Sequence, residues 1–212
     1  MICSIIQQTW TSAVPAKDCA FSNRRALLER GFEEAFRLSL HDLDICYGPH
    51  GKPQVAGRTD VFFNITHTYN RYPNISGTSG EISDSHVLQS RDYYMAGAFS
   101  HCEVGIDCEY PRPVTEQLCR RVLSSEEKAL LQASKNPEML FIRLWTLKES
   151  YLKFTGEGLS HDPASLSFSR DSNDRFILTH HPEVRFLQFD LNDGLILSLC
   201  TTNEVDVRFI TL

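Results

Sequence analysis

Residues 145–153 read Trp145-Thr146-Leu147-Lys148-Glu149-Ser150-Tyr151-Leu152-Lys153. They close a helical stretch, residues 137–154, whose leading proline suits a first helical turn. The stretch is largely apolar over residues 139–145, which places its end near a core. Glu149 and Lys153 stand at i and i+4, so they share a face about one turn apart, and Trp145 adjoins that face. On its own the pair reads as a surface ion pair, worth roughly 0.2–0.5 kcal/mol. The sharper alternative is a core-bound helix whose end offers a carboxylate and an ammonium to a ligand.

Outward from this helix the chain alternates helical and strand patterns. Residues 22–40 place Ala26, Leu27, Phe32, Phe36 and Leu40 at helical spacing, with Ser22 as N-cap. Strand patterns cover residues 1–8, 45–47, 61–66, 92–100 and 103–109. The last two are expected to form a hairpin turning near His101 and Cys102. Residues 48–53, rich in glycine and proline, form a turn. A short helix at 114–122 follows, and Ser124 with Glu127 is a capping-box signature for a further helix. Five strand patterns then occupy 165–169, 176–179, 184–190, 195–200 and 207–212. Residues 68–91 are polar and read as a surface insertion. The expected fold is α+β, with two similar halves, residues 1–100 and 101–212, packed face to face.

Gly105-Ile106-Asp107-Cys108-Glu109 is the second chemical feature. Alternate strand residues share a face, so Asp107 and Glu109 point one way and Ile106 and Cys108 point into the core. Two carboxylates about 4 Å apart, at an effective dielectric near 20, repel by roughly 4 kcal/mol. Solvent, a basic partner or a cation must offset this. Mg²⁺ takes a few carboxylates together with phosphate oxygens and water; an ordinary solvent-facing strand is the other reading. In the first half, Gly51-Lys52-Pro53 and Thr66-His67-Thr68 flank a strand, and both suit an anion. A lone histidine is more often a structural hydrogen-bonding residue.

Composition narrows the classes. The 212 residues are 42% hydrophobic and 23% charged, ordinary for a globular chain of one large or two small domains. A net charge of −6 argues against nonspecific nucleic-acid binding, which needs a basic face, but leaves room for a local basic pocket. No apolar run nears the ~20 residues that span a bilayer, and no signal-peptide pattern opens the chain. A cytoplasmic location without membrane contact is the expectation. Seven scattered cysteines with no CxxC pair are expected to be reduced and mostly buried.

The four motifs, in the order Gly51–Lys52–Pro53, Phe63-Asn64-Ile65-Thr66-His67-Thr68, Gly105 to Glu109 and Trp145 to Lys153, resemble the surfactin-synthetase-type 4′-phosphopantetheinyl transferases. The resemblance implies a pseudo-dimeric α+β fold of two similar halves. It also implies Mg²⁺-dependent transfer of 4′-phosphopantetheine from coenzyme A to a serine of an apo acyl or peptidyl carrier protein, releasing adenosine 3′,5′-bisphosphate. Carried over by position, Asp107, Glu109 and Glu149 would bind Mg²⁺, and Glu149 would accept the serine proton. Lys153 would neutralise phosphate charge, and Lys148 would support the phosphates or the helix position. Arg25 and His67 would hold the 3′-phosphate with help from Thr66, Arg24 being the alternative to Arg25. Lys52 and Pro53 would line the adenine site. Thr66 and Thr68 depart from the usual serines but keep a hydroxyl. The region of Arg112, Arg120 and Arg121 is the expected carrier contact, and a monomer is expected to suffice. Two other readings are a Mg²⁺-dependent phosphoesterase acting on a nucleotide pyrophosphate and a non-catalytic coenzyme A-binding protein.

Overall fold

The computed structural model describes residues 1–12, 17–70 and 91–212. Most of the expected insertion, residues 71–90, therefore lies outside the described residues.

β1 (Ile2–Ser12) is buried on both faces: Ile5 and Ile6 point opposite ways and neither is exposed. α1 (Lys17–Phe36) follows. The helix begins at Lys17, so Ser22 lies inside it and is not its N-cap. A small hairpin of β2 (Ile45–Tyr47) and β3 (Pro53–Val55) carries the glycine-rich turn. β4 (Phe62–Tyr69) and β5 (Arg91–Ser100) pair antiparallel, and β5 also pairs antiparallel with β1. β4 runs through Tyr69, so the first residues of the expected insertion are strand.

β6 (Val104–Glu109) does not form a hairpin with β5. The chain turns at residues 101–103 and enters a second sheet, where β6 pairs with β10 (Ile196–Thr201). Alternation marks both segments as strands, but it does not say which strand lies beside which. Between them run α2 (Glu116–Val122), α3 (Ser125–Ala133) and α4 (Pro137–Thr155). The capping box at Ser124 and Glu127 is present in full. A hairpin of β7 (Phe168–Arg170) and β8 (Phe176–Leu178) precedes β9 (Arg185–Asp190), which pairs with β10. The expected strand at 165–169 is split, its first residue belonging to a 3-10 turn, Pro163–Ser165. β11 (Asp206–Thr211) returns to the first sheet and pairs parallel with β1.

The result is mixed α+β, with a sheet ordered β11-β1-β5-β4 against one ordered β6-β10-β9. Leu27 and Phe32 of α1 bury against Phe63 and Phe99 on the outer face of the first sheet. Ile5, Ala96 and Ala98 meet Ile106, Cys108, Leu197 and Leu199 between the sheets. Phe141, Leu144, Leu147 and Leu152 of α4 cover the other face of the second sheet, with Ile196 and Cys200. Gly105 permits that last contact: a Cβ there would stand 2.1 Å from the Ser150 carbonyl oxygen. Among the described residues no helix is long and apolar enough to cross a membrane.

β6 is an edge strand, and its outer N–H groups need partners. β4 supplies them with side chains. Asn64 Oδ1 accepts from the Ile106 N–H and Thr66 Oγ1 from the Cys108 N–H, both at 3.3 Å. The two sheets are thus joined along β4 and β6 without a backbone ladder, and the polar side chains of the seam lie beside Asp107 and Glu109.

Candidate active site

A cleft of about 370 Å³ opens where α1, the β2–β3 turn, β4 and the end of α4 converge. Arg24, Lys52, His67 and Lys153 stand on its polar side, and Leu28, Tyr47, Pro53 and Phe63 on its apolar side. One end of α4 thereby reaches elements laid down a hundred residues earlier. α4 stops at Gly156, whose φ of 76° suits a residue without Cβ. That stop lets the Lys52 stem pass alongside: a Cβ on Gly156 would be 3.1 Å from Lys52 Cδ.

Lys153 is the pivot of the site. Its ammonium donates to Asp107 Oδ1 at 2.7 Å and to the Ile106 carbonyl at 3.1 Å. An ammonium has three donors, so one remains uncommitted among the described residues, in a side chain that lines the cleft. Burial works against its charge, but the charge of Asp107 and the hydrogen bond to it outweigh burial, and the Lys153 pKa rises. The surface Glu149–Lys153 pair considered from spacing alone does not form; the lysine reaches the strand instead.

Glu149 has no hydrogen-bond partner among the described residues. Burial first, then the charge of Asp107, push its carboxyl up to about 7, with Lys153 opposing. Near neutrality it can therefore take or release a proton. His67 faces solvent at the mouth of the cleft, yet crowding by the walls, then the charges of Lys153 and Arg24, lower its pKa. These surroundings favour its neutral form. Asp107 is buried, and Glu109 is half-buried beside a smaller recess lined by His67, Thr68, Tyr110 and Arg112.

Several expected site residues are placed elsewhere. Lys148 does not join the cleft. It is wholly buried and donates to Glu127 at 2.5 Å and to the carbonyls of Val122, Pro163 and Leu166. Of its two expected roles only the support of the helix is compatible with that position. Arg25 pairs with Glu29 at 2.8 Å on the exposed side of α1, and the cleft takes Arg24 instead. Thr66 is turned toward Asp107 and is not a lining residue of the cleft. Lys52 lines the cleft with its stem, while its ammonium is committed to Glu103 and the Phe154 carbonyl. Arg112 stands 6.0 Å from the Trp145 ring and 3.7 Å from Glu109, and Arg120 pairs with Glu116 on the surface of α2. Asn64, Tyr47 and His50 were not singled out from sequence. The polar alternation Asn64, Thr66, Thr68 on an otherwise apolar strand was the available signal for the first.

The donors fit a hard divalent cation. Among the described residues no three acids, histidines or cysteines stand close enough to hold a metal unaided. Mg²⁺ does not require that, since it commonly takes one or two carboxylates with substrate phosphates and water. Asp107 and Glu109, adjacent on one strand face, supply such a pair.

Residues 103–200, which run from just before β6 into β10 and make up a little under half of the chain, match the family model described as 4′-phosphopantetheinyl transferase superfamily. The 4′-phosphopantetheinyl transferase psf-1 of Bacillus pumilus is 25% identical over 180 residues, covering 82% of this chain and 67% of that protein. The 4′-phosphopantetheinyl transferase HetI of Nostoc sp. is 40% identical over 121 residues, covering 54% of this chain and 42% of that protein. Over these spans the chain is similar to 4′-phosphopantetheinyl transferases. The span matched by the family model holds Asp107, Glu109, Glu149 and Lys153, while Arg24, Lys52 and His67 precede it. A solved holo-[acyl-carrier-protein] synthase of Thermotoga maritima aligns with 47% of this chain and 61% of its own, at 24% identity and a TM-score of 0.39.

Proposed function

We propose that this chain transfers 4′-phosphopantetheine from coenzyme A to a serine hydroxyl of an apo carrier protein. The observation that carries the reading is Lys153: an ammonium with a donor to spare, fixed by Asp107, at the inner wall of a cleft whose mouth holds Arg24 and His67. A nucleotide with phosphate on two sides of its ribose suits cations placed at the inner wall and at the mouth. Arg24 and His67 take the 3′-phosphate, the apolar wall with Pro53 and the Lys52 stem takes the adenine, and Lys153 meets the pyrophosphate. Charge arriving on that phosphate raises the His67 pKa and adds a second cation to the mouth.

In the transfer step the serine oxygen forms a bond to the phosphorus that bears pantetheine. The bond from that phosphorus to the bridging oxygen breaks, and adenosine 3′,5′-bisphosphate departs. Glu149, poised near neutrality, accepts the serine proton directly or through water. Lys153 offsets charge growing on the phosphate oxygens, where a preset donor is worth most. Asp107 and Glu109, with Glu149, would hold Mg²⁺, which when bound neutralises pyrophosphate charge.

The two units, residues 1–100 and 101–212, are read as a fused pair, each a helix laid on a sheet, with β11 of the second crossing back to complete the sheet of the first. A cleft built from both within one chain makes a monomer sufficient. The test is a panel of apo carrier proteins incubated with coenzyme A, with and without Mg²⁺. A carrier mass gain of one phosphopantetheinyl group is expected only with Mg²⁺. Free phosphopantetheine released with no carrier modified would point instead to a phosphoesterase.

A further inference from the structure

Asp107 and Glu109 are held in the same way. Asp107 Oδ1 accepts from the Thr66 hydroxyl at 3.0 Å and from Lys153 at 2.7 Å. Glu109 Oε1 accepts from the Thr68 hydroxyl at 2.6 Å and from the Tyr110 N–H at 3.1 Å. On each carboxylate one oxygen thus takes two donors. The other oxygen, Oδ2 or Oε2, has no hydrogen bond among the described residues, the nearest ion-pair partner being Arg112 at 3.7 Å from Glu109 Oε2.

This asymmetry is not inherent to a carboxylate. Its terminal torsion is broad and two-fold, so nothing in the β6 backbone selects which oxygen faces outward. The selection comes from β4. Thr66 and Thr68 are alternate, buried residues of that strand, opposite the alternate residues Asp107 and Glu109. Thr66 is itself oriented, because its oxygen accepts the Cys108 N–H and lies 3.5 Å from the Cys108 thiol, which can donate to it, while its hydrogen goes to Asp107 at 3.0 Å. The β-branch further restricts χ1 at both positions.

We infer that Thr66 and Thr68 are positioning residues that hold back one oxygen of each acid and present Asp107 Oδ2 and Glu109 Oε2 to the divalent cation. The inference rests on the transferase reading above for the cation's purpose, but not for its binding.

Thr68 gives the cleaner test, since Thr66 also serves the edge of β6. Thr68→Val keeps the side-chain shape and removes the hydroxyl; Thr68→Ser keeps the hydroxyl and removes the methyl. Mn²⁺ binding to the full chain with coenzyme A present is followed by paramagnetic resonance, without any carrier. The Mg²⁺ dependence of carrier modification is measured separately. Thr68→Val is expected to weaken Mn²⁺ about tenfold or more and to raise the half-saturating Mg²⁺ by a similar factor. It should leave coenzyme A affinity measured without metal unchanged, and Thr68→Ser should restore both metal readouts. Wild-type Mn²⁺ affinity in Thr68→Val, or a serine variant as weak as the valine one, overturns the inference. A wild-type chain that binds no Mn²⁺ overturns it too. A wild-type chain that binds Mn²⁺ but modifies no carrier defeats the transferase reading and leaves the threonine clamp standing.

Discussion

Lys148 and Lys153 belong to one helix and one motif, five positions apart, yet they do opposite things. Five residues turn about 140° around a helix, so the two ammonium groups leave α4 on different sides. Lys148 enters a sealed pocket between α2, α3 and the Pro163–Ser165 turn, where Glu127 and three carbonyls take all its donors. Burial pulls its pKa down against the charge of Glu127. Lys153 meets a single acid in the wall of a cleft and keeps a donor in reserve. A lysine is available for chemistry when the fold leaves its donors incompletely used, not when the motif includes it.

The largest expected effect tests the sealed end. Lys148→Met leaves Glu127 buried without its cation and should cost about 3–5 kcal/mol of stability in urea unfolding. Adding Glu127→Gln should return a large part, because no unpaired charge then stays buried. A Lys148→Met chain with wild-type stability and lost coenzyme A binding would break the comparison. At the open end, Lys153→Met should lower kcat by about 10²–10³-fold while shifting the urea midpoint less than Lys148→Met does. Equal losses of stability would erase the distinction.

Glu149 sharpens the same contrast through pH. Its folded carboxyl holds its proton up to about pH 7, against an ordinary value of 4.5. Between those values the folded chain binds more protons than the unfolded one, so stability falls as pH rises through the window. After discounting for partial exposure, Glu149→Gln should be more stable than wild type by about 1–2 kcal/mol at pH 8 without metal, and no more stable below pH 4.5. The variant should also lose turnover. A stability difference independent of pH would remove burial as the cause. The smallest effect separates neighbours on α1: Arg24→Ala should weaken coenzyme A binding about tenfold, roughly 1.4 kcal/mol, while Arg25→Ala should leave it unchanged. Isothermal titration reads both, and the reverse order would return the anion site to Arg25.

Much of this was legible without a structure. The helix holding Glu149, the strand holding Asp107 and Glu109, and the capping box at Ser124 all follow from local spacing and burial patterns, which a chain carries in its own order. Lys153 and the acids were named as partners of one site, and the fold brings Lys153 to Asp107. Less legible was any relation between distant segments. Alternation made residues 92–100 and 103–109 strands, yet their pairing depended on which sheet edges were open, and β6 went to β10. The choice of Arg24 over Arg25 turned on a rotation of α1 that adjacent, identical residue types cannot disclose.

The amino-acid order by itself determined which residues could carry charge near one another along a helix or strand, and that four such groups recur in the pattern of a known family. Only the tertiary structure decided which lysine was spent on the core, which arginine met the cleft, and that threonines of β4 would grip the acids of β6. The reason is geometric: periodicity fixes the face a side chain leaves by, whereas its free donors and acceptors depend on what another part of the chain has placed opposite that face.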